Sequence, residues 1–189
     1  MLRRIKLLVL ALVALGAITA GTASAATLNA SPAGAISAPS LGQVTFTGGA
    51  INIRCNLTLT GTLARSAAAT AGTSIGGVSR VEVASCAGGT VRSINNLPYN
   101  LTFNRLTATG LEFTVNSANF TLSVNIFGII VDCTYGGNVP ALVAITGGVT
   151  GLITILTNSL PKTAGGGSCP ASGSMSGTFG LTTQTITLT

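Results

Sequence analysis

From Ile51 to Thr60 the chain alternates without a miss. Ile51, Ile53, Cys55, Leu57 and Leu59 are apolar, and Asn52, Arg54, Asn56, Thr58 and Thr60 are polar. A two-residue period sorts side chains onto the two faces of a β-strand, here one dry and one wet. Cys55 falls on the dry face, where a bond to another strand can form.

The same rhythm recurs along the chain. Gln43 to Thr47 is a short strand before a Gly48-Gly49 turn, and Val81 and Val83 oppose Arg80 and Glu82. Tyr99, Leu101 and Phe103 alternate with Asn100, Thr102 and Asn104. Leu111, Phe113 and Val115 follow a turn at Thr109-Gly110. Phe120 to Ile126 keeps apolar residues at even positions and Phe127 to Cys133 at odd ones, a slip that a β-bulge at Gly128 would explain. Residues 139–146 and 149–156 read as a hairpin about Gly147-Gly148. Residues 61–73 read as a strand end and loop, and 158–173 as a Gly, Ser and Pro loop. The tail closes on a strand running to Thr189. No segment after the leader sustains a helical period. The predicted fold is all-β: an antiparallel β-sandwich, Ig-like or jelly-roll-like, of about eight to ten strands. Residues 26–189 form its single domain, long enough for one core.

The leader is residues 1–25, a predicted signal peptide. Arg3, Arg4 and Lys6 give a positive start, Leu7 to Ile18 an apolar run, and Ala23-Ser24-Ala25 a small-residue cleavage site. The run is shorter than the roughly 20 residues a membrane span needs, so the mature chain is expected to carry no transmembrane span. Without the leader, Arg54, Arg65, Arg80, Arg92, Arg105 and Lys162 stand against Glu82, Glu112 and Asp132, a net charge of +3. The basic residues are scattered, so nucleic acid is not an expected partner. Charged residues make up 6% of the whole chain, whereas ordinary soluble domains carry roughly 25%. Thr, Ser, Asn and Gly must form the wet faces, and such a surface repels its own copies only weakly.

All four cysteines, Cys55, Cys86, Cys133 and Cys169, follow the leader. An even number in an exported chain reads as two disulfides, with three possible pairings. Zinc is disfavoured, because the chain has no C-x-x-C pair and no histidine. Ile53-Arg54-Cys55 and Val131-Asp132-Cys133 both end apolar runs, while Cys86 and Cys169 both follow small residues in loops. This echo of a duplicated unit favours Cys55–Cys86 and Cys133–Cys169. Each bridge would contribute on the order of 3 kcal/mol.

Without histidine, Ser-His-Asp and Cys-His sites are impossible. Ser159-Leu160-Pro161-Lys162 has the S-x-x-K spacing of a serine acyl-transfer site, but Pro161 opposes the helical turn that would join Ser159 to Lys162. Glu82, Glu112 and Asp132 could in principle supply a carboxylate pair. Each falls on the apparent wet face of a different strand, where a solvated charge is the simpler reading. The chain is expected not to be an enzyme, with no catalytic residue, no metal site and no cofactor.

The strand ending in Cys55, the Ser85-Cys86 loop, the Leu97-Pro98-Tyr99 strand entry, the Asp132-Cys133-Thr134-Tyr135 stretch and the Cys169-Pro170 loop resemble those of small exported four-cysteine bacterial proteins. The secreted Pra-type activators of alkane oxidation are similar. The resemblance implies a secreted or surface-associated, non-enzymatic role in biofilm, adhesion or contact with apolar substrates, and it carries over no binding residue.

The expected function is that of a secreted structural or cell-surface protein, extracellular, that self-associates or coats a surface. Edge pairing through the Ala26–Ser40 arm or the strand ending at Thr189 would be the means. The alternative is a binding module or pore-like protein for lipid, hydrocarbon or polysaccharide, using apolar residues near Phe127 or residues 141–156. The ligand itself is not legible in the sequence.

Overall fold

The computed structural model describes residues 27–146, 149–181 and 185–188. The leader, Gly147-Gly148, where a hairpin turn was expected, and Thr189 lie outside them. The strands are β1 (Thr27–Ser31), β2 (Gly34–Pro39), β3 (Val44–Gly48), β4 (Ile51–Leu63), β5 (Ser66–Ala68), β6 (Ser74–Ala87), β7 (Thr90–Asn95), β8 (Tyr99–Thr107), β9 (Gly110–Ile126), β10 (Ile129–Thr146), β11 (Val149–Ile155), β12 (Leu160–Gly165), β13 (Ser172–Ser176), β14 (Thr178–Gly180) and β15 (Thr185–Leu188). The protein is all-β and its strand pairs are antiparallel.

A three-stranded sheet runs β15-β1-β5, and every other strand joins one twelve-stranded sheet. That sheet returns on itself. Its pairings pass from β10 through β12, β13, β3, β4, β6, β8 and β9 back to β10. The circuit encloses one apolar cluster, in which Ile53, Cys55, Phe46, Leu111, Phe120, Leu122, Tyr135 and Leu160 are buried. The alternation of β4 is observed as read: Ile51, Ile53, Cys55 and Leu57 are buried, and Asn52, Arg54 and Asn56 are exposed.

Among the described residues fifteen strands stand where about eight to ten were expected. The additions are mostly short and rich in small residues, so they lack the large alternating side chains that betray a strand. β1 and β2 fold in what read as an arm, β5 in an expected loop, and β12 and β13 in the loop around Cys169. β1 lies between β15 and β5, so the arm offers no free edge there. Among the described residues β15 pairs only with β1.

Two bulges shape β6 where it pairs with β4. Ser85 and Cys86 together stand opposite Cys55, where the β4–β6 register shifts between Arg54 and Asn56, and Ser85 takes φ 50°. This turns Cys86 onto Cys55, and the two are bonded. The second shift, between Thr60 and Gly61, leaves Ser79 as the extra residue. There the strands approach so closely that a Cβ on Gly61 would lie 2.0 Å from the Gly77 carbonyl oxygen. The other bond joins Cys133 in β10 to Cys169 beside β13. Both pairings are those the sequence echo favours.

The parity slip near Gly128 has a different cause from the one expected. β9 and β10 form a hairpin in which Ile126 pairs with Ile129, so Phe127 and Gly128 are the turn itself. A two-residue turn pairs even positions with odd ones. The buried even residues of β9 (Phe120, Leu122, Val124) therefore face the same core as the buried odd residues of β10 (Cys133, Tyr135). The true bulge on this pair is at Ser117, φ 54°, where the register shifts beside Asn138.

Candidate functional site

The hairpin tip is the most exposed apolar feature of the described chain. Phe127 is 99% exposed, Ile130 74% and Ile129 67%. Both turn residues have positive φ, 52° at Phe127 and 85° at Gly128. Two consecutive positive values define a type I′ turn, whose first central position favours Asn, Asp or Gly. A bulky L-residue there is strained. The Gly128 N–H is held by the Asn125 side-chain oxygen at 2.8 Å, which fixes the turn and leaves the Phe127 ring in solvent. From Phe113 to Val131 no side chain is charged. The tip is thus an uncharged wedge of one aromatic and two β-branched side chains on a rigid ladder.

Beneath it lies the Arg92–Asp132 ion pair, bridging β7 to β10. The other two carboxylates are also tied to arginines: Arg80 reaches Glu82 at 3.1 Å, and Arg105 reaches Glu112 at 2.7 Å. The hydrogen bond from Arg105 holds the Glu112 carboxyl below its ordinary range. Glu82, Glu112 and Asp132 sit on β6, β9 and β10, and none stands opposite another in the strand pairings. Lys162 lies in β12, where its ammonium donates to the carbonyls of Gly166 and Cys169 at 3.2 and 3.4 Å. Ser159 precedes β12, and the Lys162 ammonium is engaged by those backbone carbonyls. Among the described residues no group of three His, Cys, Asp or Glu is placed to hold a metal ion.

The other stretch of interest, residues 141–156, points inward in part. Ala141, Ile153 and Ile155 line an apolar cavity of about 90 Å³ inside the sheet circuit. Tyr99 also lines it, and its hydroxyl is occupied elsewhere. It lies 2.6 Å from the Asn95 carbonyl and 2.7 Å from the Asn119 carbonyl, and accepts the Asn119 N–H at 3.1 Å. Burial raises the Tyr99 phenol above its usual pKa, and the backbone bond to Asn119 partly offsets this.

The family model for alkane oxidation protein activators, PraA/PraB-like, matches residues 1–189. The chain belongs to this family. No curated protein and no solved structure matches it. In this PraA/PraB-like chain the two disulfides suit an oxidising compartment, and among the described residues no helix is long and apolar enough to cross a membrane. Periodicity located the apolar residues of the tip but misread their geometry. The available signal was a bare Phe-Gly between two runs of opposite parity, which marks a two-residue turn as well as a bulge.

Proposed function

We propose that this chain is an exported, non-enzymatic accessory protein that adsorbs to apolar boundaries, hydrocarbon or lipid, and coats them. The observation that carries this reading is Phe127 at the first central position of the type I′ turn, wholly exposed and flanked by Ile129 and Ile130. A chain selected only for stability would place Asn or Gly there. A strained aromatic in water instead supports a contact made outside the fold. The family's description, activator of alkane oxidation, agrees with contact between protein and hydrocarbon. Coating would draw on the same low charge, since adsorbed copies repel one another weakly. Lateral association through the outer edge of β15 is the form that self-association would take.

The test is adsorption at a hexadecane–water interface, followed by drop tensiometry. The native protein should lower the interfacial tension at concentrations where a Phe127→Ser, Ile129→Ser, Ile130→Ser variant does not. Equal adsorption by the two proteins would remove the tip from the mechanism.

A further inference from the structure

The interior of the sheet circuit has a feature that adsorption does not use. All twenty residues lining the 90 Å³ cavity are apolar or, for Tyr99, have the polar atom engaged by backbone groups. Water needs two to four polar partners to settle in such a space, so an apolar cavity stays dry, and one of about 150 Å³ takes up benzene or xenon. Here the room is smaller, enough for the last few carbons of a chain.

One seam of the sheet beside the cavity is unladdered. β6 pairs with β8 from Ser74 to Val78, the last pair being Val78 with Tyr99. Beyond the Ser79 bulge, among the described residues, β6 pairs only with β4, and β7 pairs only with β9. β6 and β7 are joined by the Gly88-Gly89 turn, yet no ladder links them. Between the Val78–Tyr99 pair at one end and the turn and the Cys55–Cys86 bond at the other, the two strands share no backbone hydrogen-bond ladder. A bulge bends a strand and increases its twist, which accounts for β6 leaving its neighbour at Ser79. Val81 on one side of this seam and Ile94 on the other are half-buried, and both line the cavity.

We propose that this cavity binds the end of an unbranched alkyl chain, admitted between β6 and β7 past Val81 and Ile94. The lining offers no hydrogen bond, so a polar headgroup stays outside. The site is independent of the Phe127 tip and can be tested apart from it. Methyl NMR of the oxidised protein titrated with n-hexane should show saturable shifts at Leu59, Val81, Ile94 and Val115. The Phe127→Ser, Ile129→Ser, Ile130→Ser variant should bind hexane as the native protein does. Ala141→Val and Ala118→Val, which fill the cavity, should each weaken binding at least tenfold. Absence of saturable shifts in the native protein would overturn the proposal, whatever the variants do. So would shifts that survive cavity filling in a folded variant, or shifts abolished by the tip substitutions.

Discussion

Replacing Phe127 by Asn should separate what the fold wants from what the surface does. The left-handed conformation costs an L-residue roughly 1–2 kcal/mol, and Asn tolerates it best after Gly. Phe127 makes no compensating burial, being 99% exposed at φ 52°. Phe127→Asn should therefore stabilise the protein by about 0.5–1 kcal/mol, raising Tm by roughly 2–4 °C per kcal/mol for a chain of this size. The same change removes the largest apolar group of the tip. Burying a Phe side chain is worth about 1.5–3 kcal/mol. A loss near 2 kcal/mol weakens partition to hydrocarbon roughly thirtyfold, at about 1.4 kcal/mol per decade. Thermal unfolding and tensiometry on the same preparation read the two effects, which should move in opposite directions. A fall in Tm would mean that Phe127 serves the fold, and unchanged adsorption would mean that it serves no boundary. Either result refutes the reasoning.

Three further outcomes follow from the interior and the staples. Ala141→Val should stabilise by about 1 kcal/mol, since an unfilled cavity costs ~24 cal/mol per Å³ and each added methyl recovers up to ~0.8 kcal/mol; a lowered Tm would mean that the space is closed to a larger side chain. Cys55→Ser with Cys86→Ser should cost about 3–4 kcal/mol by freeing a loop of separation 31, read as a lower denaturant midpoint. Because burial raises the folded Tyr99 pKa above the ordinary value of 10.0, folding favours the protonated phenol. Its contribution is full below pH 10 and is lost as pH rises through the folded value. Tyr99→Phe should flatten that alkaline loss while costing about 1–3 kcal/mol at neutral pH by leaving the Asn95 and Asn119 groups short of a partner, and an unchanged alkaline unfolding curve would count against this assignment.

How much of this was legible in the sequence depends on side-chain size. β4 was plain because apolar residues and polar ones alternate over ten residues in a row. β5 and β13 were not, because Ser, Ala and Gly carry almost no facing preference, and β12 was not, because its Leu160-Pro161-Lys162 start lacks a sustained alternation. The bulges at Ser79, Ser85 and Ser117 were equally hidden. Each is a serine that breaks register by one, and its position is set by the partner strand, not by its own neighbours. The disulfide pairing could be favoured from spacing because each bond joins a buried strand cysteine to one in a bulge or loop, twice over. For the tip, the residues were readable and the geometry was not. A parity slip has two solutions, bulge or two-residue turn, and only the pairing of Ile126 with Ile129 decides between them.

That pairing also bears on which force the proposed adsorption would use. Each of the three carboxylates is tied to an arginine, whereas Arg54, Arg65 and Lys162 have no carboxylate partner among the described residues. These scattered cations make a weak field, screened beyond about 10 Å at ordinary ionic strength. The tip needs no field, because removing Phe127, Ile129 and Ile130 from water is favourable whatever the salt. Adsorption to hexadecane should thus hold, or strengthen, as sodium sulfate is raised, since excluded salts favour apolar burial. A marked fall with salt would move the contact from the hairpin tip to the unpaired cations, and lysine-to-alanine and arginine-to-alanine variants would then outrank Phe127→Asn.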